Sequence, residues 1–282
     1  MRIIARLDVK GGSLVKGVHL EGLRVLGDPQ AYARHYTEAG ADELLYMDVV
    51  ASLYGRNSLL DLVARTARAT FIPLTVGGGL RTLEDIRDAL RAGADKVAFN
   101  TAAVANPSLV QQAARRFGSS TIVASVEAIR DQEGRWFAFT DNGREETGLD
   151  AIEWATRLAE LGAGELLITS VDREGTGTGF DLELTAQVAT ALDIPVIACG
   201  GAGSAAHVVE VVCEGRADAV AVASVLHYQL VGTLAEDGGL AVDGNTEAAR
   251  RGVVPGRISP CSIADIKAEL QRSGVEVTVH HG

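Results

Sequence analysis

The chain has 282 residues, 26 Lys and Arg against 37 Asp and Glu, and a net charge of −11. That balance disfavours nucleic acid as the main partner, because phosphate-backbone binding needs a broad basic surface, though it leaves room for a local phosphate pocket. No apolar run is long enough to span a membrane and no leader segment is visible, so no membrane contact is expected. The cysteines Cys199, Cys213 and Cys261 lack metal-ligand spacing, and an odd count points to a reducing, cytoplasmic setting. Neither a metal nor a cofactor is expected.

Taken in chain order, short β-type runs at 2–9, 43–49, 72–76, 95–100, 121–127, 165–170, 195–199 and 219–223 alternate with amphipathic stretches at 30–40, 57–70, 82–93, 106–117, 150–162, 181–192 and 205–215. Eight strand–helix alternations predict parallel pairing and a closed (β/α)8 TIM barrel. The chain also repeats itself at an offset of about 120 residues. Ala5-Arg6-Leu7-Asp8-Val9 aligns with Ala124-Ser125-Val126-Glu127-Ala128, and Ile72-Pro73-Leu74 before Gly77-Gly78-Gly79 aligns with Ile194-Pro195-Val196 before Gly200-Gly201. Ala94-Asp95 before Asn100-Thr101 aligns with Ala217-Asp218 before Ala223-Ser224. A single barrel over 1–282 is expected, with half-barrels at about 1–118 and 119–230. Residues 131–148 suggest a hairpin inserted after the fifth strand. Residues 232–260 read as an irregular loop on the top face, and 262–273 as a final helix.

Active sites of such barrels lie at the C-terminal ends of the strands. Asp8 closes the first strand and Glu127 the fifth, diametrically opposite, which suits paired general acid and base work. Glycines let backbone N–H groups approach an anion closely. Gly78 and Gly79 with Asn100 and Thr101 make one expected phosphate cradle, and Gly200 and Gly201 with Ala223 and Ser224 the other. A substrate with a phosphate at each end follows. At the opposite mouth, Arg2, Glu43, Lys96 and Glu165 stand near strand starts, and their charges sum to zero. Arg6 lies two residues below Asp8 on the same face, where a buried cation needs a partner, Glu127 being one candidate.

The strings LDVK (7–10), VKG (15–17), GDP (27–29), TVGGG (75–79), ADK (94–96), NTAAV (100–104), GAGE (162–165), DREGT (172–176), CGGAG (199–203) and ASVLH (223–227) resemble the cyclase subunit of imidazole glycerol phosphate synthase, HisF, over nearly the whole chain except 232–260. The resemblance implies a barrel that pairs with a glutaminase subunit. Ammonia from that partner would enter the barrel bottom, cross the core, and react at the top with an aminoimidazole ribotide precursor bearing two phosphates. The precursor would be cleaved and closed into imidazole glycerol phosphate. It further implies that Asp8 is a catalytic carboxylate and that Lys16, Thr169, Asp172 and Gly175 join the glycine loops in binding substrate. Arg2, Glu43, Lys96 and Glu165 would form an ammonia gate, and Asp95 would lie near the glutaminase interface.

Several positions depart from the family pattern. Glu127 stands where an aspartate is usual, Arg6 for a cysteine, Gly11 for an aspartate, Cys199 for a phosphate-binding serine and Glu174 for an aspartate. Displacing a catalytic group by about 1 Å can cost ~10²-fold, and pairing with Arg6 would make Glu127 a poorer acid. The strings HLEGLRVLGD (19–28), DVVASLYGRNSLLD (48–61) and TDNGREETG (140–148) are similar to a paralogous branch linked to acetamidino modification of surface-polysaccharide sugars. There the barrel supplies ammonia to a separate amidotransferase. A third alternative is a catalytically silent scaffold that only activates a glutaminase.

Overall fold

The computed structural model describes residues 1–50, 59–236, 254 and 256–278. Eight parallel strands close on themselves: β1 (Arg2–Lys10), β4 (Glu43–Asp48), β5 (Leu74–Gly77), β6 (Lys96–Phe99), β7 (Ile122–Arg130), β10 (Glu165–Ser170), β11 (Val196–Cys199) and β12 (Ala219–Val222). The ring closes where β12 pairs with β1, in the register Arg2 with Ala219 and Ala5 with Val222. The fold is the expected TIM barrel. Its strands are buried on both faces, as continuous apolar runs in parallel sheets require, and Ile3, Ala5, Leu7 and Val9 are fully buried along β1.

The barrel helices are α1 (Pro29–Glu38), α2 (Leu60–Ala69), α3 (Leu83–Ala92), α4 (Thr101–Ala105), α5 (Ser108–Phe117), α6 (Ala151–Glu160), α7 (Leu182–Ala191), α8 (Ala205–Cys213), α9 (Ser224–Glu236) and α10 (Ile263–Arg272). Side chains that accept from the exposed first-turn N–H groups start several of them. Thr82 and Asp85 form a reciprocal capping box on α3, as Ser262 and Asp265 do on α10. Apolar faces of the helices pack against the outside of the barrel in two clusters. A third cluster fills the lumen, with Ile4, Leu45, Val123, Leu167 and Ile197 meeting between the barrel ends.

The remaining four strands form two antiparallel hairpins. One is β2 (Ser13–Val18) with β3 (Glu21–Gly27), extending from β1; the other is β8 (Trp136–Thr140) with β9 (Glu145–Asp150), extending from β7. The second falls in the segment that the alternation around Asn142-Gly143 marks. The first is a finding, since the sequence reading has no element between 10 and 29. Hairpins thus rise from opposite strands at equivalent places in the two repeats. The reading of 232–260 as irregular also needs correction. Residues 232–236 continue α9, while 237–253 and 255 lie outside the described residues. The returning chain lies across the strand ends, where Arg257 N–H donates to Thr176 O at 3.1 Å and Ser259 N–H to Gly203 O at 2.7 Å. Among the described residues no helix is long and apolar enough to cross a membrane.

Candidate active site at the barrel mouth

Strand alternation on β1 sends Arg2, Ile4, Arg6 and Asp8 into the lumen, so one strand carries charges at both ends with an apolar residue between them. Arg6 and Asp8 are 3% and 2% exposed. Arg6 Nε donates to Asp8 Oδ1 at 2.8 Å, and Arg6 Nη1 to Cys199 Sγ at 3.1 Å. The partner of Arg6 is therefore Asp8 and not Glu127. An arginine two residues from an aspartate on one face can fold back along its own strand, whereas Glu127 stands across the mouth. Burial pushes the Asp8 carboxyl up, but the Arg6 and Lys16 charges more than reverse this and hold it below the ordinary range. His227, fully buried with its Nδ1 2.7 Å from the Tyr36 hydroxyl, is driven down to about 3, by burial first and then by Lys16. It stays neutral, which leaves Arg6 and Lys16 as the counter-charges of Asp8.

Glu127 sits on β7 in a different environment. Its Oε2 accepts from the N–H of Gly143 at 2.8 Å, in the turn of the second hairpin. Burial raises its pKa to about 7, against the smaller lowering effects of that N–H, of Arg6 and of the Asn100 amide. Below neutrality the two carboxyls therefore favour opposite protonation states.

The glycine loops flank this pair unequally. On the first side, Gly78, Gly79, Asn100, Thr101, Ser125 and Glu127 line a cavity of about 200 Å³. On the second, Arg6, Gly175, Gly200, Gly201, Ala223 and Ser224 line about 20 Å³. Gly78 and Gly200 hold equivalent positions with φ near +90°. A side chain at Gly78 would start 2.2 Å from Asp48 O, and one at Gly200 2.6 Å from Ser170 O. Only glycine fits either place, which accounts for both motifs by backbone packing as well as by anion access.

Other residues singled out in the sequence fall as follows. Lys16, on β2, is buried and ion-paired with Glu174. With His19 N–H donating to Glu174 O at 2.9 Å and Asn142 Nδ2 to Leu20 O at 2.8 Å, this pins the first hairpin across the mouth against the second. Thr169 is buried in β10. Thr101 Oγ1 accepts from Asp141 N–H at 3.1 Å, and Asn100 Nδ2 donates to Phe139 O at 2.8 Å, so both also anchor the second hairpin. Asp172 is exposed, accepts from Arg130 N–H at 2.8 Å, and lines neither cavity. The sequence reading gives Ser125 and Asn142 no site role, naming Ser125 only as the repeat partner of Arg6 and Asn142 only as a turn residue. Both line the first cavity.

At the opposite end, Arg2 Nη1 donates to Glu43 Oε1 at 2.5 Å and Glu165 Oε1 at 3.0 Å, while Lys96 Nζ donates to the same two residues at 3.2 and 2.9 Å. The four side chains close into a ring of alternating charge. Nearby, Asp95 Oδ2 accepts from Leu74 N–H at 2.8 Å and borders a surface hollow with Phe71, which is 95% exposed. Among the described residues no group of three or more His, Cys, Asp and Glu could hold a metal ion.

Residues 2–231 match the family described as histidine biosynthesis protein. The chain is 60% identical over 203 residues to the imidazole glycerol phosphate synthase subunit HisF of Legionella pneumophila, covering 72% of this chain and 96% of that one. It is 56% identical over 226 residues to the subunit of the same name from Myxococcus xanthus (strain DK1622), covering 80% and 89%. The chain belongs to the HisF family. The matched span of this HisF-family barrel takes in both carboxylates, both glycine loops and all four residues of the charged ring.

Proposed function

We propose that the protein is the cyclase subunit of an imidazole glycerol phosphate synthase. It uses ammonia from a glutaminase subunit docked at the barrel bottom to cleave and close a bis-phosphate aminoimidazole ribotide precursor. The observation that carries this reading is a pair of carboxyls at the ends of opposite strands in unlike surroundings, Asp8 held by Arg6 and Glu127 by a single backbone N–H. Environments that push two carboxyls apart assign one as base and one as acid. Asp8, ionised, is placed to take a proton from the attacking nitrogen. Glu127, protonated through about pH 7, is placed to give one to the leaving group. Gly78, Gly79, Asn100 and Thr101 provide the larger cradle for one phosphate, and Gly200, Gly201, Ala223 and Ser224 the smaller one for the other. Gly175 borders the smaller cradle, while Lys16 and Thr169 are buried and line neither cavity. No cofactor enters this chemistry.

Ammonia would pass the ring of Arg2, Glu43, Lys96 and Glu165 and then the apolar lumen, which disfavours the charged ammonium form. Asp95 and the exposed Phe71 beside it suit the partner's docking face. Replacing Lys96 with alanine is expected to leave glutamine hydrolysis running in the two-subunit complex while the yield of product per glutamine falls. An unchanged yield would count against passage through the ring. The three free cysteines suit a reducing compartment, and we place the protein in the cytoplasm.

The crowding of the second cradle by Arg6 favours a second reading, in which the barrel conducts ammonia to a separate amidotransferase for acetamidino-sugar synthesis. One assay separates the two. Purified protein is given the ribotide precursor and excess ammonium salt across a pH series from about 6.5 to 8.5, without any glutaminase. Ring closure supports the cyclase, and no loss of precursor from a folded barrel supports the conduit.

A further inference from the structure

The repeat pairs Arg6 with Ser125, and the two stand at equivalent places. Ser125 lines the first cavity from the strand next to Asn100, and Arg6 lines the second from the strand next to Ala223. The cradles share their glycine loops, and the second holds Arg6 where the first holds Ser125; the cavities beside them are about 20 and 200 Å³, the larger also reaching Arg81 and Asn106. A guanidinium has five N–H donors in a planar fork that suits oxyanions. Hydrogen bonds to Asp8 and Cys199 are the ones Arg6 makes among the described residues. The charge therefore sits between a carboxylate and a pocket built from Gly200, Gly201 and the first residue of α9, Ser224. Titratable groups facing the pair are Lys16 and the neutral His227, toward Asp8, and Glu174 and Glu127, toward Arg6. None replaces Arg6 as the close partner of Asp8, because Lys16, the one cation among them, is tied to Glu174.

We propose that Arg6 is an anion ligand of the second cradle, and that a phosphate bound at Gly200, Gly201 and Ser224 draws its guanidinium away from Asp8 and so frees that carboxylate. A phosphate dianion outcompetes a single carboxylate for a planar fork, because it offers more acceptor oxygens and more charge. Arg6 then acts twice: as ligand to the substrate's far end, and as a positioning residue that keeps Asp8 neutralised until that end is seated. The first cradle has Ser125 at this place, and Glu127 feels Arg6 only as a lesser effect than its own burial. This rests on the reading of the glycine loops as phosphate cradles.

The test uses inorganic phosphate and no turnover, so it stands or falls apart from ring-closing activity. Amide shifts of Gly200, Gly201 and Ser224 report the second cradle, and those of Gly78 and Gly79 the first. Arg6→Ser is expected to weaken phosphate at the second cradle by about tenfold or more, as loss of a hydrogen bond to a charged group requires, with the first unchanged. The unchanged first site also reports that the barrel has folded. Arg6→Lys, which keeps the charge and loses the fork, should fall between. In the unaltered protein, saturating phosphate should move the carboxyl titration of Asp8 upward, seen by carbon-13 NMR. Equal or tighter phosphate binding at the second cradle in Arg6→Ser would show that Arg6 is a plug, and would overturn the proposal. An Asp8 titration unmoved by phosphate would overturn the coupling.

Discussion

Replacing Asp8 with asparagine is expected to lower kcat for ring closure by ~10²- to 10⁴-fold, the usual loss of a general base, with ammonium salt as nitrogen source and KM little changed. Asparagine keeps the shape and cannot take a proton. The same change strips Arg6 of its 2.8 Å partner, and a buried cation left alone costs about 3–5 kcal/mol. The variant should therefore melt earlier, and activity must be read below its transition, followed by circular dichroism. A kcat within a few-fold of the unaltered protein would remove Asp8 from the chemistry. The sign of the pH dependence follows from the same pair. Because the folded state holds the Asp8 carboxyl below its ordinary value, the stabilisation is complete above the unfolded pKa of about 3.9 and is lost as pH falls through the folded one.

Glu127→Gln should move activity and stability in opposite directions. Loss of the acid is expected to cost ~10²-fold or more in kcat. In the unaltered protein, the rate per unit of free ammonia should fall as pH rises through about 7, where Glu127 gives up its proton. In the variant that limb should vanish. Stability runs the other way. A carboxyl whose folded pKa is raised stabilises the fold fully below its unfolded value of about 4.3, and this is lost as pH rises through about 7. Above neutrality the buried charge becomes a burden, on the order of 2 kcal/mol after allowing for its partial contact with the cavity. Glutamine removes it. Thermal melts at pH 8.5 should place the variant several degrees above the unaltered protein, and melts at pH 5 should show no such gain. Equal melting at both values would mean that Glu127 is not desolvated in this way.

What was legible in the chain followed from periodicity, and what was not depended on three-dimensional return. Buried parallel strands write themselves as apolar runs, so β4, from Glu43 to Asp48, and β10, from Glu165 to Ser170, lie within or match the ranges read from sequence. The second hairpin was visible because Trp136, Phe137 and Phe139 precede an Asn-Gly turn. The first was hidden because its turn is His19-Leu20, at φ 52° and 61°. Leucine is not an ordinary choice for positive φ, the pair is not the Asn-Gly or Asp-Gly of a hairpin signal, and the conformation is held by contacts about 150 residues away, His19 Nδ1 to Val171 O at 2.8 Å among them. The site divides in the same way. Strand ends exposed Asp8 and Glu127 as a pair, and the repeat exposed the two glycine loops. The partner of Arg6 could not be read, because two residues on one face give direction but not the bend of a long side chain. Nor could Lys16–Glu174, which joins β2 to the loop after β10.

The ring at the barrel floor has a property that no simple pair shares. Each of its four charges touches two of the opposite sign. Any one contact can therefore break and leave an open chain in which every ion still has a neighbour. Parting one contact strands no charge, so it avoids the several kcal/mol of an orphaned buried ion. As the passage proposed for ammonia, the ring would begin to open without leaving a bare charge behind.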